Sequence, residues 1–122
     1  MSDRRVLIAD DTEDMRALVS IVLLGAGVTI VGQGKDGNEA LELWRTSRPP
    51  RLHAVILDQR MPGRTGLEVA EEILAEDPEQ RIILLSAHVD PEMTAAAEAL
   101  GITAVVPKED ILGLPEHLAF PG

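Results

Sequence analysis

Apolar and polar positions fall into alternating blocks along this chain. Short apolar runs stand between longer segments in which apolar residues recur every three or four positions. Val6 to Ala9, Val28 to Gly32, His53 to Leu57, Ile82 to Leu85 and Thr103 to Val106 read as five strands. The third is continuously apolar after His53, as a strand covered on both faces should be. The segments between them read as helices. Thr12 caps the first, with Glu13 and Asp14 in its first turn and Met15, Leu18, Val19 and Val22 on one face; it stops near Gly25 to Gly27. Asp36-Gly37-Asn38-Glu39 reads as a capping box that opens a second helix with Ala40, Leu43 and Trp44 inward, broken by Ser47-Arg48-Pro49-Pro50. Thr65-Gly66-Leu67-Glu68 opens a third, with Leu67, Ala70, Ile73 and Leu74 inward and Asp77-Pro78 at its end. Asp90-Pro91 starts a fourth, carrying Met93, Ala96, Ala97 and Leu100 and closed by Gly101. A last, short helix starts near Glu109 and is disturbed by Pro115. Five βα units without internal repeats predict a doubly wound parallel α/β sheet with right-handed crossovers.

Length and composition narrow this picture. At 122 residues the chain is one domain, expected over 1–122. Aromatic residues amount to Trp44 and Phe120, so the core must be aliphatic. A formal charge of −10, with no cluster of Lys and Arg, argues against direct DNA binding by this chain. The absence of cysteine removes disulfides and thiolate metal sites and fits the cytoplasm. The uncharged stretch from Ala17 to Gly34 is long enough to suggest a membrane span. Gly25 and Gly27 interrupt it and its second half is β-branched, so a helix followed by a strand is expected, with no signal peptide and no membrane association.

The candidate chemistry lies where the apolar runs end. The first runs into Asp10-Asp11, the third into Asp58, the fourth into Ser86 and the fifth, through Pro107, into Lys108. In open α/β sheets ligands bind at the carboxyl ends of the strands. Taken singly, each residue has an ordinary explanation: helix capping for Asp10-Asp11, a turn for Asp58 before Met61-Pro62-Gly63, a cap for Ser86, a solvated charge for Lys108. Together they supply a nucleophilic carboxylate, oxygen ligands for a hard cation such as Mg²⁺, a hydroxyl donor and an ammonium, a set suited to phosphoryl transfer. An Asp-dependent phosphatase of the haloacid-dehalogenase kind would need Asp-x-Asp after the first strand, which Asp10-Asp11-Thr12 lacks. An FMN binder would need a phosphate loop where Asp10 to Asp14 would repel the phosphate.

These residues resemble the receiver domains of bacterial two-component response regulators over about residues 4 to 112. The likeness is carried by Asp10-Asp11, by Asp58 with Met61-Pro62-Gly63-Arg64-Thr65-Gly66-Leu67-Glu68, by Leu85-Ser86-Ala87 and by Lys108. It implies a flavodoxin-like (βα)5 fold with strand order 2-1-3-4-5. It also implies a phosphorelay role, in which Asp58 takes a phosphoryl group from a sensor histidine kinase, a phosphotransfer protein or a small phosphodonor. Asp11, Asp10, Asp58 and the backbone carbonyl of Arg60 would hold Mg²⁺. Ser86 and Lys108 would contact the phosphoryl oxygens, and Arg60 and His88 would border them. The domain would turn over no metabolite and would act on a downstream protein target or output domain, with a homodimer as a further possibility. A degenerate receiver that binds partners without phosphate is the alternative. Two positions depart from the family pattern: Val105 stands where an aromatic switch residue is usual, and Pro107 precedes Lys108 whereas a proline usually follows. Only 14 residues follow Lys108, which leaves either a single-domain regulator or a piece of a longer protein.

Overall fold

A computed structural model describes residues 4–118. The outermost residues of the expected domain, Phe120 and Asp3 among them, lie outside the described residues. Five parallel strands, β1 (Arg5–Ala9), β2 (Thr29–Gly34), β3 (Ala54–Asp58), β4 (Ile82–Ser86) and β5 (Ala104–Pro107), form one sheet in the order β2-β1-β3-β4-β5. Between them run α1 (Glu13–Gly25), α2 (Gly37–Thr46), α3 (Gly66–Glu76) and α4 (Pro91–Leu100). The doubly wound fold and strand order expected from the sequence are both present.

The sheet is covered on both faces because its central strands are apolar at every position except their polar ends, Arg5, Asp58 and Ser86. Side chains alternate across a strand, so each strand feeds two cores. Leu7, Ala9, Val55, Leu57, Ile82 and Leu84 pack under α2, α3 and α4. Val6, Ile8, Ala54, Ile56, Ile83 and Leu85 pack against α1 and the C-terminal segment. Trp44, fully buried from α2, is the largest side chain of the first core.

The helix faces differ in places from the sequence reading. Leu18 was expected inward but is 41 % exposed, together with Ile21 and Leu24, while Leu23 is fully buried. The core-facing stripe of α1 therefore runs through Met15, Val19, Val22 and Leu23. The polar residues Glu13, Asp14, Arg16 and Ser20 lie outside this stripe, but from Ala17 to Gly25 only Ser20 is polar, so periodicity left the edges of the buried stripe open. In α2, Leu41 is buried beside Ala40 and Trp44, and in α3 it is Val69 that joins Ala70 and Ile73 at full burial, with Leu67 and Leu74 only partly covered. Ala96 of α4 is exposed; Ala97 is the single residue that this helix buries fully. The final segment, Lys108–Leu118, is a 3₁₀ helix broken at Asp110. Ile111, Leu114 and Leu118 nevertheless bury into the second core, Leu114 despite the Pro115 that follows it. The Ala17 to Gly34 stretch is α1 followed by β2, and no helix among the described residues is long and apolar enough to cross a membrane.

Candidate functional site

β1 and β3 are neighbours in space although β2 lies between them in sequence, so the chain changes direction across the sheet at this point. The carboxyl ends of the two strands open the crevice where such folds bind ligands. Ala9 pairs with Leu57, which sets Asp10 alongside Asp58. Both carboxylates are buried, at 3 % and 2 % exposure, whereas Asp11 is exposed. One oxygen from each of the three lies within 4.8 Å of the others.

Lys108 reaches this cluster from the end of β5. Its Nζ lies 3.1 Å from Asp58 Oδ1 and 3.3 Å from Asp10 Oδ2. Pro107 occupies the last position of β5, paired with Ser86, so the altered proline position has not displaced the lysine. Asp58 Oδ1 also accepts the Arg60 backbone N–H at 3.3 Å. Asp10 Oδ1 accepts the Thr12 N–H at 2.9 Å. Thr12 was expected to cap α1 through its side chain; it occupies the N-cap position without making that bond, and its N–H fixes Asp10 instead. Arg16, one turn into α1, donates to the Asp10 backbone carbonyl at 2.8 Å.

The charges do not balance. One half-buried ammonium faces two buried carboxylates, with Asp11 beside them. Burial, and then the charge of Asp10, raise the Asp58 pKa to about 6, against the opposing pull of the Lys108 hydrogen bond. Burial lowers the Lys108 pKa, but its hydrogen bond to Asp58 and the charges of Asp58 and Asp10 outweigh it and leave the pKa raised. Asp10 Oδ2 is buried and, apart from its ion-pair contact with Lys108, makes no hydrogen bond. A buried carboxylate oxygen left without a hydrogen bond is costly, and a cation restores the balance. Three carboxylates whose oxygens converge, with one ammonium against their combined charge, are hard donors of the kind Mg²⁺ takes, so the residues present fit that ion.

Ser86, buried at the end of β4, reaches the same sheet edge, but its hydroxyl is engaged in its own turn. It donates to the His88 carbonyl at 2.7 Å and accepts the His88 N–H at 3.3 Å. Arg60 and His88 are exposed residues at the rim. Val105 is half-buried against the core under α2 to α4. The sequence reading passed over Arg16 and Gln59. Gln59 caps α3 by accepting the Leu67 N–H on its side chain at 2.9 Å, and its carbonyl accepts the Gly66 N–H at 3.0 Å. No sequence signal marks a Gln in that role. Gly66 carries its own signal, since a Cβ there would lie 2.6 Å from the Asp58 carbonyl oxygen.

The sequence matches the response regulator receiver domain family over residues 6–116. The chain belongs to that family. This receiver domain is 33 % identical over 98 residues to the chemotaxis protein CheY of Thermotoga maritima, covering 80 % of this chain and 79 % of that one. It is 38 % identical over 101 residues to a protein-glutamate methylesterase/protein-glutamine glutaminase of Haloarcula marismortui, covering 83 % of this chain but only 26 % of that protein. The chain thus spans about a quarter of the length of such methylesterase relatives. Its fold superposes on the receiver domain of the putative response regulator NarL from Mycobacterium tuberculosis with a TM-score of 0.81. The two are 31 % identical, with 95 % of this chain and 97 % of the other covered. The receiver domain serves phosphorelay signalling, and its family is a family of phosphoacceptors that bind Mg²⁺ at an acidic pocket.

Proposed function

We propose that Asp58 is the phosphoacceptor of this domain and that Asp10, Asp11 and Lys108 are its working partners. The observation that carries this reading is the excess of buried negative charge around Asp58, which a single ammonium does not offset. Both hydrogen bonds to the Asp58 carboxylate fall on Oδ1, which leaves Oδ2 as the attacking oxygen. Its lone pair forms the O–P bond while the P–N bond of a phosphohistidine breaks. The electron pair leaves with the imidazole, which takes up a proton. Asp11, Asp10, Asp58 and the Arg60 carbonyl would hold Mg²⁺, which when bound neutralises charge on the phosphoryl oxygens. Lys108 exchanges its carboxylate contact for one with the phosphoryl group and stabilises the charge that develops there. The donor is a sensor histidine kinase, a phosphotransfer protein or a small phosphodonor, and the reading places the domain in the cytoplasm with such donors. It acts as a phosphoacceptor switch and turns over no metabolite.

The signal leaves through Ser86. Reaching a phosphoryl oxygen requires its hydroxyl to give up the His88 carbonyl, which changes the turn that leads into α4. That helix is held by one fully buried residue, so moving it disturbs little of the core. Val105 cannot act as an aromatic switch, and the α4 route carries the change to a downstream protein or to a second copy of the domain. The test is incubation with acetyl phosphate and Mg²⁺ followed by intact mass. The parent gains one phosphoryl group and Asp58→Asn gains none. A labelled Asp58→Asn protein, or a parent that stays unlabelled while still binding Mg²⁺, would sink the assignment.

A further inference from the structure

The loop that carries Arg60 leaves β3 at Asp58 and enters α3 at Gly66. Its inner end is tied to the site by the Arg60 N–H on Asp58 and by the two bonds to Gln59. Its outer end is tied to a different element, the start of α2. The Gly37 N–H donates to the Pro62 carbonyl at 3.3 Å. A Cβ on Gly37 would lie 2.6 Å from Arg64 Cβ and 2.7 Å from the Arg64 carbonyl oxygen, so only glycine permits this approach. Asn38 Oδ1 accepts Arg64 Nε at 3.0 Å, and the same guanidinium pairs with Glu72 of α3. Gly63, at φ +82°, makes the bend that presents Arg64 to Asn38.

From these contacts we infer that Gly37, Asn38 and Arg64 form a clamp that positions the Arg60 carbonyl beside Asp58, so that the start of α2 is part of the metal and phosphoryl site. The inference rests on the phosphoacceptor reading above. The physical reason is leverage. Residues 60 to 65 have no regular structure of their own, and an oxygen ligand delivered by such a loop is only as well placed as the loop's anchors. Groups that orient ligands without touching the ion are worth one to two orders of magnitude in affinity when buried. Asn38 is exposed and the Arg64 side chain is 39 % exposed, so a smaller effect is expected. Their exposure also separates positioning from folding, because truncating them opens no cavity.

Asn38→Leu removes the acceptor, and Asn38→Asp keeps it at the same reach. Titration calorimetry of Mg²⁺ into the parent and both variants gives a readout independent of phosphorylation. Work in about 0.5 M KCl screens the charge that the aspartate adds. Asn38→Leu is expected to bind Mg²⁺ about 3- to 10-fold more weakly. Its uptake from acetyl phosphate should slow at low Mg²⁺ and recover at saturating Mg²⁺. Asn38→Asp should match the parent, and the metal-free unfolding midpoints of all three should agree. If Asn38→Leu binds Mg²⁺ as the parent does, the clamp is wrong while the phosphoacceptor reading stands. A loss of affinity that Asn38→Asp fails to rescue, or that tracks a fall in the unfolding midpoint, also overturns it. A parent that takes up neither Mg²⁺ nor a phosphoryl group overturns both ideas.

Discussion

Asp58 and Asp77 are both buried aspartates, one at the carboxyl edge of the sheet and one at the opposite edge, and they are shifted in opposite directions. Asp77 meets Arg51 through two hydrogen bonds, at 2.6 and 2.9 Å, and accepts the Glu79 N–H at 3.1 Å. The Arg51 guanidinium holds its pKa below the usual range. Around it most other polar groups are also matched, with the Nε of Arg48 the exception. Trp44 Nε1 donates to Gln80 Oε1 at 3.0 Å, and Gln80 Nε2 donates to the carbonyls of Leu52 and Arg81. Arg48, whose Nε makes no hydrogen bond, stacks on the Trp44 ring 3.5 Å from its centroid. At the Asp58 edge burial and a neighbouring carboxylate outweigh the one cation within reach. A cleft of about 580 Å³ opens at the matched edge, lined in part by Arg51, His53 and Gln80, yet the unbalanced charge lies elsewhere. Unbalanced charge, more than concavity, marks the edge prepared for a ligand.

The comparison predicts that substitutions at the two edges fail in different ways. Lys108→Met should lower phosphoryl uptake by at least about a hundredfold, since a preorganised cation facing developing charge contributes on that scale. Radiolabel transfer or intact mass at fixed Mg²⁺ measures it, and uptake within tenfold of the parent would break the comparison at this edge. Gln80→Leu should instead lower stability by about 1–3 kcal/mol, because it strands the buried Trp44 N–H and the Leu52 carbonyl, while the Arg81 carbonyl keeps the Val55 N–H. Its uptake per folded molecule should stay at the parent level. Urea unfolding followed through Trp44 reads the first effect directly, since the indole is fully buried and sits in the affected network.

The same contrast explains what was legible in the sequence. The fold was, because Val55 to Leu57 and Ile82 to Leu85 are apolar at every position, as strands covered on both faces are, and helix-like segments alternate with them. The candidate site was legible as a set of positions, because Asp10, Asp58, Ser86 and Lys108 each end a different strand. The structure brings Asp10, Asp58 and Lys108 into contact. It leaves the Ser86 hydroxyl turned onto His88, since hydroxyl direction is set by local partners and not by strand position. Arg16 and the Asn38–Arg64 contact were not legible. They act between elements across distances that periodicity does not encode. The matched edge was the least legible, for Gln80 and Trp44 meet 36 residues apart and nothing in either segment announces the other.

Acidity sharpens the comparison further. Without Mg²⁺, Asp58 has a folded pKa of about 6 against an ordinary value of 3.8. Between these values the folded state binds the extra proton, so stability should fall as pH rises from about 4 to about 6 and level off above. Asp77 has the opposite sign: its contribution is present above the ordinary aspartate value and is lost as pH falls through its lowered pKa. Urea midpoints measured in chelator from pH 3 upward should decline across the window near 4 to 6 in the parent and not in Asp58→Asn. Asp77→Asn should weaken the acid-side loss and leave that decline in place. An Asp58→Asn profile parallel to the parent's would mean that the unbalanced charge at this edge is not borne by Asp58.

The smallest expected effect concerns two arginines. Arg51 is tied to Asp77 at the matched edge, while Arg60 is exposed at the rim of the Asp58 site and its side chain has no partner among the described residues. A long cation two residues beyond the proposed acceptor can lie over the phosphoryl group and hinder the water that removes it. Arg60→Ala should therefore shorten the phosphorylated half-life by about threefold, roughly 0.6 kcal/mol on the barrier, and leave the urea midpoint unchanged. Arg51→Ala should do the reverse, lowering the midpoint and leaving the half-life alone, because its partner is a structural carboxylate. The half-life comes from the decay of the phosphorylated mass after the donor is removed. Equal half-lives for Arg60→Ala and the parent would reduce Arg60 to a backbone contributor, through its N–H to Asp58. Its side chain would then be an ordinary solvated charge, and loss of the phosphoryl group would be set without it.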